Sequence, residues 1–154
     1  MYNDGVMVAS KTLGGKSKSN TGPLYIGRDP WYQGLVGAGF DNIQIHNRAL
    51  TLAEIKQTAA GKILFNINLV LAVNFATGVV NGTVKDLSQY KNNVTVVGKV
   101  AMLKGGSPST KTPVYGKTDY YMSVDGVKDY LVIPNTPDLA LGKNNSNFTP
   151  STDM

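Results

Sequence analysis

The chain has no cysteine, one histidine (His46), one glutamate (Glu54) and one tryptophan (Trp31) among its 154 residues. A disulfide framework, a cysteine nucleophile and a cysteine-ligated zinc site are therefore excluded. A site that needs two imidazoles or two glutamates has nothing to draw on. Charge is sparse as well, with 16% of residues charged against roughly a quarter in an average globular domain. Arginine occurs only at positions 28 and 48, and the net charge of +5 rests mainly on 13 scattered lysines. That distribution reads as a solvated surface, so no nucleic-acid partner is expected. The opening Met1-Tyr2-Asn3-Asp4 lacks a basic region followed by an apolar run. The longest apolar stretch, Ile63 to Val73, is broken by Asn66 and Asn68 and is too short to span a bilayer. Membrane insertion is not expected; the protein reads as soluble, with any export arranged elsewhere.

What remains is a glycine-rich chain, with 17 glycines and 42% apolar residues, of a length suited to one domain. Apolar and polar residues alternate in short runs separated by Gly, Asn, Asp or Pro, the pattern of strands joined by turns. Strands are expected at Val6 to Ser10, Leu24 to Gly27, Phe40 to His46, Ile63 to Phe75, Val94 to Leu103, Tyr120 to Val124 and Tyr130 to Ile133. In the fourth, Ile63, Phe65, Ile67, Leu69, Leu71, Val73 and Phe75 fall on one face and Asn66, Asn68 and Asn74 on the other, which predicts a half-buried strand with room for a break near its start. One helix is signalled, over Leu52 to Ala60. Thr51 and Glu54 have the spacing of a capping box, Leu50 and Ile55 that of a hydrophobic staple, and Gly61 supplies a left-handed stop. The segments Gly14 to Pro23 and Lys104 to Pro113 read as exposed, mobile loops.

Both ends look truncated. Asp4-Gly5 is a strong two-residue hairpin signal, yet only three residues precede it, so the incoming strand is expected from elsewhere. Asn147-Phe148-Thr149 begins another strand pattern that stops at Met154 before it develops. Sheet edges left by missing partners are ones that proteins generally cover or blunt.

Several of these segments carry a family likeness. Leu24-Tyr25-Ile26-Gly27, the run from Gly39-Phe40-Asp41 through Arg48-Ala49-Leu50-Thr51, and Glu54-Ile55, preceded by Tyr2-Asn3-Asp4-Gly5, resemble the closing half of a laminin G-like, concanavalin A-like lectin/glucanase domain. His46 departs from the pattern, standing where a tyrosine is common, and reads as a packing residue. Leu69 to Phe75, Val84-Lys85-Asp86-Leu87-Ser88 and Val124 to Pro134 resemble the opening half of the same family. The division is thus 1–61, closing half, and 62–154, opening half. The resemblance implies an all-β, concanavalin A-like jelly-roll sandwich of antiparallel sheets with one short helix. The reversed order, without the middle strands, leaves three explanations: a fragment spanning two tandem domains, which is favoured, a circular permutation, or completion by strand exchange with a neighbouring copy.

On chemistry, glycosidases of this fold use paired carboxylates. With Glu54 assigned to the capping box and no closely spaced acidic pair within a strand, there is no catalytic residue to name and no enzyme is expected. A Ser-His-Asp arrangement lacks its Gly-x-Ser-x-Gly elbow. No cofactor is required. Calcium, which the fold class often holds, would have Asp29, Asp41, Asp86 and Asp129 as eligible ligands, each with a structural alternative such as a turn-forming side chain. The candidate ligand-binding residues are Arg28, Asp29, Trp31 and Tyr32, in a segment that places aromatic faces beside groups able to bond sugar hydroxyls. The competing reading has Trp31 plugging the end of the sandwich. The sequons Asn81-Gly82-Thr83 and Asn93-Val94-Thr95 matter only in a eukaryotic secreted chain.

The expected function is non-catalytic: a lectin-like binding or adhesion module of a larger, extracellular protein on a cell or virion surface. The cysteine-free composition leans towards a bacterial or phage source. Its partners would be a glycan or neighbouring protein subunits. The alternative is a structural virion component, a phage capsid decoration or fibre protein, that makes protein–protein contacts only.

Overall fold

The structure is a computed structural model and describes residues 1–11, 21–28, 38–66, 68–104, 120–125 and 128–139. In chain order the strands before the helix are β1 (Tyr2–Asn3), β2 (Val6–Met7), β3 (Leu24–Ile26), β4 (Ala38–Phe40) and β5 (Ile43–His46). Helix α1 (Leu52–Ala59) follows, then β6 (Leu69–Val73), β7 (Thr83–Val84), β8 (Val94–Val97), β9 (Ala101–Lys104), β10 (Tyr120–Val124) and β11 (Tyr130–Ile133). The strands form a four-stranded sheet β3-β11-β8-β7, a three-stranded sheet β4-β10-β9, and the pairs β5-β6 and β1-β2. Among the described residues the fold is mostly β, with antiparallel strand pairs and one short helix, consistent with a concanavalin A-like sandwich.

The Asp4-Gly5 hairpin forms within the chain, which corrects the expectation of an outside partner. Asp4 and Gly5 both take positive φ, +50° and +76°, as a type I′ turn demands. Tyr2 pairs with Met7 and Asn3 with Val6, and the Met1 carbonyl accepts from Val8 N at 3.0 Å.

Two runs that alternate without a break in the sequence are each split between sheets. In Phe40 to His46, Asn42 adopts φ +48° with its N–H bonded to Asp41 Oδ1 at 2.8 Å. That turn sends β4 to β10 and β5 to β6. In Val94 to Leu103, Gly98 adopts φ +93°, so β8 pairs with β11 and β9 with β10. A Cβ on Gly98 would fall onto the Asp129 carboxylate and 2.6 Å from the Lys128 carbonyl, which only glycine avoids.

The long strand expected over Ile63 to Phe75 is shorter and differently buried. Only Leu69–Val73 is strand, and all five residues are buried, whereas Phe65 is 67% exposed. Ile67 lies outside the described residues. The asparagines that seemed to mark a polar face serve local turns instead: Asn66 Oδ1 accepts from Asn68 N at 2.9 Å, and Asn74 Oδ1 from Ala76 N at 3.4 Å. One edge of β6 pairs with β5. Along the other, Ala72 accepts from Leu87 N at 2.7 Å and donates to Asp86 Oδ1 at 2.9 Å. The Val70 carbonyl accepts from Asn92 Nδ2 at 2.8 Å, with Ser88 Oγ 3.2 Å away. A loop thus satisfies the backbone that a neighbouring strand would otherwise bond.

Asp86 is the hub of that loop. Besides Ala72 N, its carboxylate accepts from Ser88 N, Ser88 Oγ, Asn92 N and Asn92 Nδ2 at 2.8–2.9 Å. Burial works against the charge, but these bonds outweigh it and hold the group below its ordinary pKa.

The core comprises Leu71, Val73, Phe75, Val84, Val94, Met122, Val124, Leu131 and Ile133, with Leu24, Ile26, Phe40, Ile43 and Ile45 packed against it. Strands of 1–61 and 62–154 interleave in it: β3 pairs with β11, β4 with β10 and β5 with β6. Two outcomes follow. Asp86→Ala, which leaves five donors facing an empty acceptor, should cost at least about 3 kcal/mol in chemical denaturation. Residues 1–61 and 62–154 produced separately should each lack a cooperative thermal transition, and mixing them should restore one.

Candidate functional site

The sequence-predicted site begins at Arg28, and β3 and β11 explain how that side chain is placed. Leu24 and Ile26 pack on the core, so alternation turns Tyr25 to the opposite face of the sheet. Leu131 and Ile133 are fully buried, so on β11 the residues turned outward are Tyr130 and Val132. Tyr25 lies opposite Val132, which makes Tyr130 its diagonal neighbour. Their rings meet edge to face with centroids 5.8 Å apart and planes at 69°. Gly27, at φ +88°, ends β3, and the chain returns Arg28 over both rings. The guanidinium carbon is 4.8 Å from the Tyr130 centroid and 5.7 Å from that of Tyr25, a double cation–π contact.

Arg28 is therefore part of an aromatic platform on the outer face of the four-stranded sheet. Asp29, Trp31 and Tyr32 lie outside the described residues. Tyr25 and Tyr130, which the sequence reading did not select, were detectable only as outward positions on two predicted strands, since their meeting depends on a long-range register.

Glu54, Asp41, Asp86 and Asp129 are committed to structure. Glu54 receives both arms of Arg48, Nη1 at 2.8 Å and Nη2 at 2.5 Å, and its Oε2 accepts from Thr51 N at 2.8 Å while Thr51 Oγ accepts from Glu54 N at 3.3 Å. The capping box is complete at the predicted place, and Gly61 N to Thr58 O with Lys62 N to Gln57 O closes the far end in a Schellman motif. Hydrogen bonding from Arg48 first, then from the Thr51 backbone, pulls the Glu54 pKa down to about 2, so it is ionised and holds no proton to give at neutral pH.

The described calcium candidates are engaged by N–H donors, and no three acidic or imidazole side chains gather as a metal site among the described residues. N–H donors point at the oxygens of Asp41 (from Asn42), of Asp86 and of Asp129, the last from Lys99 N at 2.7 Å and Asp125 N at 3.2 Å. Calcium needs lone pairs there. Asp29 lies outside the described residues.

His46 closes β5 at a shift in register, and neither ring nitrogen has a hydrogen-bond partner although both are buried. Desolvation, then the nearby Arg48 charge, lower its pKa from 6.5, so the ring is neutral near pH 7.

The family model of the concanavalin A-like lectin/glucanases superfamily, in its laminin G-like form, matches residues 1–56. That stretch, 56 of the 154 residues, is similar to the superfamily. No curated protein and no solved structure matches the chain. The laminin G-like segment contains β1 to β5, the capping box, and Tyr25 and Arg28, two of the platform's three residues. Laminin G-like domains are generally non-catalytic modules that bind carbohydrate or protein, and are usually extracellular, although the wider superfamily includes glucanases. No helix among the described residues is long and apolar enough to cross a membrane.

The laminin G-like segment's one glutamate sets a pH dependence. Its folded pKa of about 2 lies below the 4.5 of the unfolded chain, so its contribution to stability is full above pH 4.5 and is lost as pH falls towards 2. Thermal unfolding followed from pH 6 to pH 2 should show a smaller acid-induced fall in Tm for Glu54→Gln than for the parent chain.

Proposed function

We propose that this chain is a non-catalytic, lectin-like binding and adhesion module of a larger bacterial or phage surface protein, and that the Tyr25–Tyr130–Arg28 platform is the base of its glycan site. The observation that carries this is the platform itself: two tyrosine rings and a guanidinium held together on the outside of a sheet. Sugar rings offer flat C–H faces to aromatic surfaces and hydroxyls to a guanidinium or carboxylate. Arg28 also leads by sequence into Asp29, Trp31 and Tyr32, the remaining ligand-binding candidates. Commitment of Glu54 to its ion pair and of Asp86 to its loop supports binding in place of hydrolysis.

A structural virion component is the second reading, favoured by the β1–β2 hairpin. Met1, Val6, Met7 and Val8 are all more than half exposed there, an apolar concentration that suits protein contacts. On this reading the chain is a capsid decoration or fibre subunit whose partners are neighbouring proteins.

A glycan array separates the two. The lectin reading expects binding that falls at least about tenfold in Tyr130→Ala and in Trp31→Ala with the fold retained by circular dichroism. Absence of any glycan binding, or binding indifferent to both substitutions, would overturn the platform as a glycan site.

A further inference from the structure

Asn81 is the one asparagine in the chain that glycine follows. The pair forms the tip of a tight turn, with Asn81 at φ +51° and Gly82 at φ +75°. Val80 and Thr83 exchange backbone bonds of 2.9 and 3.0 Å across it. The chain then enters β7, an edge strand of two residues that carries the core side chain Val84. Both turn residues are exposed, and nothing lies within 4 Å of where a Cβ on Gly82 would stand. Among the described residues neither the Asn81 side-chain amide nor the Gly82 N–H has a hydrogen-bond partner. Gly82 is held through its carbonyl, which accepts from Val96 N at 2.8 Å.

Those are the conditions under which an asparagine reacts with its own backbone. The attacking atom is the nitrogen of the next residue, which a side chain there would shield and glycine leaves open. Ring closure needs the turn to open, and a two-residue strand at a sheet edge frays at low free-energy cost. The other asparagines lack this combination. Asn66 and Asn74 hold their side-chain oxygens on Asn68 N at 2.9 Å and Ala76 N at 3.4 Å, and isoleucine and phenylalanine follow them. Asn92 is buried, with Nδ2 donating to Val70 O and to Asp86 Oδ2.

We infer that Asn81 is a self-deamidation site, at which the chain rewrites one of its own turns without an enzyme. Gly82 N gives its proton to solvent base and bonds to Asn81 Cγ. The side-chain nitrogen takes up a proton and leaves as ammonia, which closes a succinimide. Water then adds to one of the two ring carbonyls. Opening at the side-chain carbonyl gives an aspartyl residue at 81, and opening at the main-chain carbonyl gives an isoaspartyl residue. Either product adds a negative charge to a chain whose net charge is +5. The isoaspartyl form also adds a methylene to the main chain, which the two-residue turn has no room for. The Val80–Thr83 bonds are then lost, and β7 loosens from β8 with Val84 at its end. The site stands apart from the Arg28 platform and does not depend on its ligand.

Residues 63–85 form one tryptic peptide that carries Asn66, Asn68, Asn74 and Asn81 together, so three asparagines serve as controls for the fourth. The folded full chain is incubated at mildly alkaline pH in heavy-oxygen water and digested in ordinary water, which leaves deamidation during digestion unlabelled. Mass spectrometry should find the heavy carboxylate at position 81 and none at the other three, at a rate that rises with pH, and chromatography should resolve aspartyl and isoaspartyl forms. The Tm of the incubated chain should fall. Asn81→Gly, which suits the positive φ and removes the amide, should stay unlabelled and keep its Tm through the same treatment. The inference is overturned if the folded chain carries no label at position 81 when the free 63–85 peptide has converted fully, or if Asn66, Asn68 or Asn74 takes up label as fast. A labelled chain rich in the isoaspartyl form whose Tm equals that of fresh protein overturns the loosening of β7.

Discussion

The Asp86 carboxylate occupies the place beside β6 where a further strand would normally run. A bare edge of five buried residues would leave the Ala72 N–H and the Val70 and Ala72 carbonyls without partners, a cost of several kcal/mol in total. Asp86, with Ser88 and Asn92 gathered around it, removes that cost by offering side chains and one backbone N–H in strand-like register. The arrangement reaches further, because Thr136 Oγ1 donates to Asn92 Oδ1 at 3.1 Å and ties the chain just beyond β11 to the same loop. β6 carries β5, β5 leads to the capping box, and β11 carries the tyrosine of the platform. The candidate site therefore rests, through one or two strands, on a single buried charge.

A second constraint is the pair of turns that pass the chain from sheet to sheet. Asn42 and Gly98 each change direction within one left-handed residue. Asp129 braces the second by accepting from Lys99 N, and it is itself buried next to Tyr130 in sequence. The carboxylate that fixes the sheet crossing thus also fixes the start of β11, and so the height at which Tyr130 meets Tyr25.

Local features were legible in the amino-acid order and distant ones were not. The helix could be read because Thr51, Glu54 and Gly61 act within about three turns of one another. Arg48 as the partner of Glu54 could not, since their separation of six residues crosses from loop to helix. The sheet crossings were hidden because alternation continues through Asn42 and Gly98, and one turn residue barely disturbs a period-two pattern. The apparent polar face of β6 arose from asparagines in flanking turns, whose spacing mimics a strand. At the candidate site Arg28 stood out beside Asp29, Trp31 and Tyr32 in sequence, while Tyr25 and Tyr130 became a pair only through the β3–β11 register. The family match likewise covers 1–56, where the resemblance was densest, and the likeness of the later segments rests on their residues alone.

The interleaving of strands has a consequence in time. Leu24 pairs with Ile133, over a hundred residues downstream, so β3 has no partner until that much more of the chain has left the ribosome. Through that interval Tyr25 and the apolar residues beside it must wait unpaired, and their contacts have a sequence separation that slows folding intrinsically. Such a nascent chain depends on holding its early strands apart from those of its neighbours until the late ones arrive. The few charges of the sequence, 13 of them lysines spread along its length, are then protection during synthesis as much as surface decoration afterwards.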